Sequence, residues 1–151
     1  MTEGRGERGE SRQLFCRVIT PEEIVYDGEA DLVVARIADG DLGVMVDHAP
    51  LVSSVEAGEV RIREGEEQHV YATSDGFFKV SENLVQILVE EAVAPDEIDV
   101  DEAENRIEEA ERELSEISED AEDRDRVRGE IERRRRIGEN FVRVARKYEA
   151  G

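Results

Sequence analysis

From Gln13 to Ala94 apolar and polar positions alternate with a period of two in short runs, and from Asp99 onward the period lengthens to three and four. The chain therefore divides into a strand-forming part and a helix-forming part. Leu14 to Thr20, Glu23 to Tyr26, Asp31 to Ile37 and Leu42 to Val46 read as strands. Gly58 to Arg63 with Gln68 to Thr73, and Phe77 to Val80 with Leu84 to Val89, read as hairpins around Glu64-Gly65-Glu66 and Ser81-Glu82-Asn83. Val60 and Ile62 alternate with Arg61 and Arg63, giving that strand one apolar face, whereas Leu32-Val-Val-Ala35 is apolar on both. This mixture, with no helical period between the runs, predicts an antiparallel β-sandwich or flattened barrel and excludes a parallel α/β sheet.

Pro95-Asp96-Glu97 ends the strand pattern. Asp99 with Glu102 is an Asp-x-x-Glu helix start, and Val100, Ala103, Ile107, Ala110, Leu114, Ile117 and Ala121 then form a narrow apolar seam. After a polar turn over Ser118 to Asp123, the residues Val127, Ile131, Phe141, Val144 and Tyr148 give a second, less regular stripe. Gly129 and Gly138 each cost roughly 1 kcal/mol against Ala inside a helix, so the second helix is expected to be the less stable one. The seam is too short for a long coiled coil, which favours an antiparallel helical hairpin. The fold class is thus α+β in two modules: a tail over residues 1–12 with nothing to bury, a sandwich over 13–94 and a two-helix hairpin over 95–151.

Charge changes the picture of the hairpin. The 151-residue chain carries 40 acidic against 20 basic residues, a formal net charge of -20, which argues against nucleic acid as a partner. Asp99 to Ser118 holds nine acids against Arg106 and Arg112, whereas Asp125 to Glu149 holds nine basic residues against five acids, with Arg133, Arg134, Arg135 and Arg136 consecutive. Residues advance about 100 degrees each around a helix, so these four arginines cannot face one neighbour. Some are expected to pair with the first helix and others to remain for an acidic partner; the plainer alternative is that they only offset nearby carboxylates.

The candidate chemistry is sparse. His48 and His69 are the sole histidines, no phosphate-binding glycine loop occurs, and no Cys/His set has metal-ligand spacing, so an enzyme is not expected. Cys16, the single cysteine, permits no internal disulfide and reads as a small core residue. No apolar run reaches the roughly 20 residues of a membrane span. The most informative stretch is Asp39 to Val60, where Asp39-Gly40, Gly43 and Ala49-Pro50 punctuate a strand, a bend and a second strand.

That stretch, with Gly40-Asp41-Leu42-Gly43, His48-Ala49-Pro50-Leu51-Val52 and Gly58, resembles the corner of the epsilon subunit of F-type ATP synthases. The resemblance continues through Thr20-Pro21-Glu22, Ser74-Asp75-Gly76-Phe77, Asn83 to Leu88 and Ile98-Asp99. It implies a non-catalytic subunit at the foot of the central stalk of a proton-translocating ATP synthase, at the cytoplasmic face of the membrane, touching the gamma subunit and the c-ring and reaching the membrane only through the complex. It further implies that Asp41 and His48 face the c-ring, and that Arg133, Arg134, Arg135 and Arg136 meet an acidic segment of the catalytic beta subunit and restrain ATP hydrolysis.

Two departures from the family pattern qualify this. The corner usually has Pro-Gly before its histidine, and here Val46-Asp47 stands there. Members that bind ATP carry Ile-Asp-x-x-Arg-Ala at the first helix, and this chain has Ile98-Asp99-Val100-Asp101-Glu102-Ala103. Glu102 in place of that arginine would repel a phosphate, so no cofactor is expected. The rival reading is a free-standing adaptor or chaperone-like protein that docks through the β-module and clamps with the hairpin.

Overall fold

The computed structural model describes residues 12–120 and 122–149. The expected tail lies outside the described residues except for Arg12, whose guanidinium pairs with Asp47. Ten strands follow: β1 (Leu14–Ile19), β2 (Ile24–Ala30), β3 (Leu32–Ile37), β4 (Gly40–Val44), β5 (Leu51–Val55), β6 (Gly58–Glu64), β7 (Glu67–Thr73), β8 (Gly76–Ser81), β9 (Leu84–Val89) and β10 (Ala92–Val93). They form two five-stranded sheets, ordered β2-β1-β9-β8-β5 and β10-β7-β6-β3-β4. The chain clusters into two compact units that divide between Ala92 and Val93.

Pairing is antiparallel within the hairpins, but β1 runs parallel to β9, in register from Phe15–Leu84 to Ile19–Leu88. Alternation within a strand cannot reveal this, because a strand's pattern carries no information about its partner's direction. Between β2 and β3 the chain passes from one sheet to the other across a single residue, Asp31. Its amide donates to the Arg63 carbonyl at 2.7 Å, and its carboxylate accepts the Gly65 amide at 2.7 Å, so the sheet change is fastened to the β6–β7 turn.

Inward-facing residues of both sheets make the core: Leu14, Cys16 and Val18 from β1, Phe78 and Val80 from β8, and Val85 and Ile87 from β9 meet Val33, Ala35, Val44, Val60 and Ile62 from the other sheet. Full burial of side chains of this size is worth about 1.5–3 kcal/mol each. Two turns carry the geometry. Gly65, at φ +63, opens the two-residue β6–β7 turn, and Glu82 and Asn83, at φ 51 and 63, form a mirror-image turn between β8 and β9 that suits the twist of the strands.

In the second unit, Pro95–Glu97 makes one 3-10 turn, followed by α1 (Val100–Glu116) and α2 (Arg124–Lys147). The Asp99 carboxylate accepts the Glu102 amide at 3.1 Å, which is the cap the Asp-x-x-Glu spacing predicts. Helix α1 stops at Glu116, so Ile117 leaves the seam as an extended residue, and Ala121 lies outside the described residues.

The two α2 glycines differ sharply. A methyl group added at Gly129 would meet nothing within 4 Å, whereas at Gly138 it would lie 2.9 Å from Ile107 Cγ1 and 3.1 Å from the Ala103 carbonyl oxygen. Gly138 thus lets the helices approach, and its propensity cost is offset by that packing. Gly129→Ala should raise hairpin stability by about 0.5–1 kcal/mol, and Gly138→Ala should lower it by about 1–3 kcal/mol through overpacking; denaturant unfolding followed by helical circular dichroism measures both.

Candidate functional site

The corner is built on β4, an edge strand of its sheet. Ala38 and Asp39 form the turn before it, and Gly40, at φ +121, opens the strand. Pairing therefore starts two residues earlier than Leu42, the alternation's first strand residue, and Met45 and Val46 leave the sheet, where they are 58% and 43% exposed. Asp41 sits directly across from Arg36, whose Nε is 3.4 Å from its carboxylate, and Arg61 Nη2 from β6 approaches to 3.6 Å. Arg61 also reaches the largely buried Glu59 at 3.4 Å. Asp41 is thus a half-exposed acid held by two cations.

His48 stands beyond the opposite end of β4. Its amide donates to the Met45 carbonyl at 3.2 Å, closing the turn, and its ring Nδ1 is 2.7 Å from the Ala49 carbonyl oxygen. A carbonyl only accepts, so Nδ1 carries the proton and Nε2 is the acceptor in the neutral ring. Asp41 and His48 are therefore not one cluster; they mark the two ends of one edge strand.

Between them the departure from Pro-Gly has a structural answer. Asp47 adopts φ +67, the conformation a glycine would take there at no steric cost. The Asn83 side chain fixes it: the Asn83 carbonyl oxygen accepts the Asp47 amide at 2.6 Å and its amide donates to the Asp47 carboxylate at 3.3 Å. The β8–β9 turn thereby anchors the corner.

On the hairpin, the four arginines separate as the helical rotation requires. Arg134 makes a two-pronged bond to Glu113 of α1, at 2.7 and 3.3 Å. Arg135 lies 4.0 Å from Glu139 on its own helix, Arg133 has an interaction of its own, and Arg136 is exposed with no ion pair among the described residues. Arg146 adds a second bridge to α1, to Glu104 at 2.9 Å, and Arg106 lies over the Phe141 ring at 5.7 Å. The bond from Arg134 holds the Glu113 carboxyl below its ordinary value, and the bond to Glu113 raises Arg134 in turn.

Other motif residues turn out to be fasteners. Thr20 closes a turn by exchanging bonds with Glu23. The fully buried Ser74 accepts the amides of Glu90 and Glu91 at 3.0 and 3.1 Å, and a side chain at Gly76 would sit 2.2 Å from the Leu88 carbonyl oxygen. Cys16 is fully buried, and burial, with Asp27 nearby, pushes its thiol up to about 12, so it is inert.

Strand alternation alone did not reveal an apolar row on the outer face of the first sheet. Register aligns Ile24, Ile19, Leu88 and Phe77 across four strands. Ile24 is 55%, Leu88 44% and Phe77 63% exposed, with Val52, at 70%, on β5 beside them. The signal was present in Phe77-Phe78 and Ile87-Leu88, where both faces of a strand are apolar, but only the pairing shows that these positions adjoin.

The chain is thus a two-sheet β-sandwich with an apolar row on its outer face, joined to a charged two-helix hairpin. Residues 13–95 match the family model for the ATP synthase delta/epsilon chain β-sandwich domain. The ATP synthase epsilon chain of Rubrobacter xylanophilus is 68% identical over 144 residues, which span 95% of this chain and 99% of that one. The sodium-ion-specific ATP synthase epsilon chain of Propionigenium modestum is 39% identical over 103 residues, 68% of this chain and 75% of that one. Among solved structures, a chain of the Euglena gracilis mitochondrial ATP synthase, in an OSCP/F1/c-ring assembly, aligns over 86% of this chain and 79% of its own with a TM-score of 0.67 at 25% identity. The chain belongs to the ATP synthase epsilon chain family.

Because the folded state holds Glu113 below its ordinary pKa of 4.5, the Arg134 pair stabilises the hairpin fully above that pH and loses its effect as pH falls through the lowered value. Arg134→Ala should therefore reduce hairpin stability at pH 7, and the gap to the wild type should close on acidification well below the ordinary Glu113 value, read by urea unfolding at each pH.

Proposed function

We propose that this chain is the non-catalytic central-stalk subunit of a proton-translocating F-type ATP synthase, held peripherally at the cytoplasmic face of the membrane by its neighbours. The observation that carries this reading is the outer-face row in which the partly buried Ile19 lies among the exposed Ile24, Leu88 and Phe77, because an apolar surface ordered by strand register is costly to leave in water and gains when covered. The gamma subunit is its occupant in this reading. The ends of edge strand β4, with Asp41 at one and Met45, Val46 and His48 beyond the other, meet the c-ring.

The hairpin supplies regulation. Arg134 is already committed to Glu113, so its part is to hold the two helices together, and the charge offered to an acidic segment of the catalytic beta subunit comes chiefly from Arg136, with Arg133 and Arg135 alongside. Family membership and the positive second helix support a restraint on ATP hydrolysis.

In the reconstituted complex, removing residues 95–151 should leave the sandwich bound and raise ATP hydrolysis. Arg136→Ala should give part of that rise, an effect that shrinks as salt screens the pair. Hydrolysis unchanged by the deletion would reduce the hairpin to passive packing.

Nucleotide binding is weak or absent in this reading. The Glu102 amide is taken up in the Asp99 cap and its side chain is exposed at the start of α1, so a carboxylate stands where a phosphate would need a cation. Calorimetric titration with ATP should give no micromolar affinity, and Glu102→Arg should strengthen whatever binding is seen.

A further inference from the structure

At the tip of the β6–β7 hairpin, register sets Glu64 directly across from Glu67, and Ile62 across from His69 two pairs below, beyond Arg63 and Gln68. Side chains two apart on a strand share a face, so both carboxylates and the imidazole project to the same side. One ligand atom from each of Glu64, Glu67 and His69 falls within 4.8 Å of the other two. His69 Nε2 lies 3.6 Å from a Glu67 oxygen, and no ion pair to Glu64 occurs among the described residues.

Like charges directly opposite each other on paired strands destabilise the pair. A strand end that carries them beside a histidine, rather than a lysine or arginine, has an unmet need for positive charge. The ring of His69 is also placed: it lies against Tyr26, with centroids 5.0 Å apart and a tilt of 51°. The Tyr26 hydroxyl is itself tied to the Glu29 carbonyl at 2.9 Å, so the aromatic wall is fixed from β2.

We propose that Glu64, Glu67 and His69 form a binding site for a divalent metal ion of borderline character, for which Zn²⁺ is the representative. One imidazole nitrogen and two carboxylate oxygens are a ligand set that such ions accept, with water completing the coordination. Ligands at about 2.0–2.1 Å in a tetrahedral arrangement sit about 3.4 Å from one another, so the three donors need to close by little more than 1 Å. Both glutamates are exposed and turn freely enough to do this. The site clamps the tip of one sheet beside Tyr26 of the other, and it is independent of the assignment to a stalk.

The test is calorimetric titration of the full chain with ZnCl₂ in a non-coordinating buffer, alongside the same titration with MgCl₂. One Zn²⁺ site should appear that Mg²⁺ at equal concentration does not fill. Glu67→Gln and His69→Gln should each weaken it at least tenfold, and Zn²⁺ should raise the thermal midpoint of the wild type and not of either variant. Glu64→Gln provides the same reading should His69→Gln fold poorly. Zn²⁺ binding of equal strength in the wild type and in Glu67→Gln, or equal binding of Mg²⁺ and Zn²⁺, would show only the diffuse attraction of an acidic surface and overturn the proposal.

Discussion

The sandwich buries Phe78, Leu14, Ile62 and Ile87 against one another, and every member of that core falls between Leu14 and Val89. Losing one such side chain costs about 2–5 kcal/mol, a large part of what a domain of this size has to spare. The features that mark the surface depend on this interior. The Asp31 crossing, the Ser74 clamp and the close approach at Gly76 hold the sheets in register, and register decides that Ile24, Ile19, Leu88 and Phe77 line up on the outer face. A slip of one residue would turn that row inward and put Cys16, Phe78 and Ile87 in water.

The hairpin is stabilised differently. Its buried apolar residues are Ala103 and Ala110 on α1 and Ile131, Ile137, Phe141 and Val144 on α2, a thin seam for helices of 17 and 24 residues. Polar links supplement it, through Arg134 to Glu113 and Arg146 to Glu104, and exposed pairs of this kind contribute little each. Gly138 matters because a thin seam depends on close contact. A hairpin built this way has a thinner core than the sandwich and is expected to open at lower free energy.

Much of this was legible in the chain. The change of period at Pro95 separates strands from helices because alternation and the three-four repeat reflect burial on different backbones. The Asp99 cap and the hairpins at Gly65 and Asn83 follow from turn and cap chemistry. What stayed hidden depended on partners distant in sequence. The strand at Glu23 to Tyr26 runs on to Ala30 through Gly28, which pairs with Cys16 under the Tyr26 ring. The parallel β1–β9 pair and the approach at Gly138 have no local signature at all. At the site, Asp41 and His48 were individually visible, but their placement at the two ends of β4, and the hold of Asn83 on Asp47, required the topology. The separation of Arg134 from Arg136 could be anticipated from helical rotation, though not which arginine would face α1.

If the full core of the sandwich and the thin seam of the hairpin make two separate cooperative units, the helices can open while the body stays folded. Native-state hydrogen exchange of the full chain, followed by mass spectrometry over peptides of each unit in rising denaturant, measures this directly. Amides of α1 and α2 should exchange through an opening of lower free energy than those of β1, β8 and β9, with a distinct denaturant dependence. A single opening free energy shared by both units would contradict it.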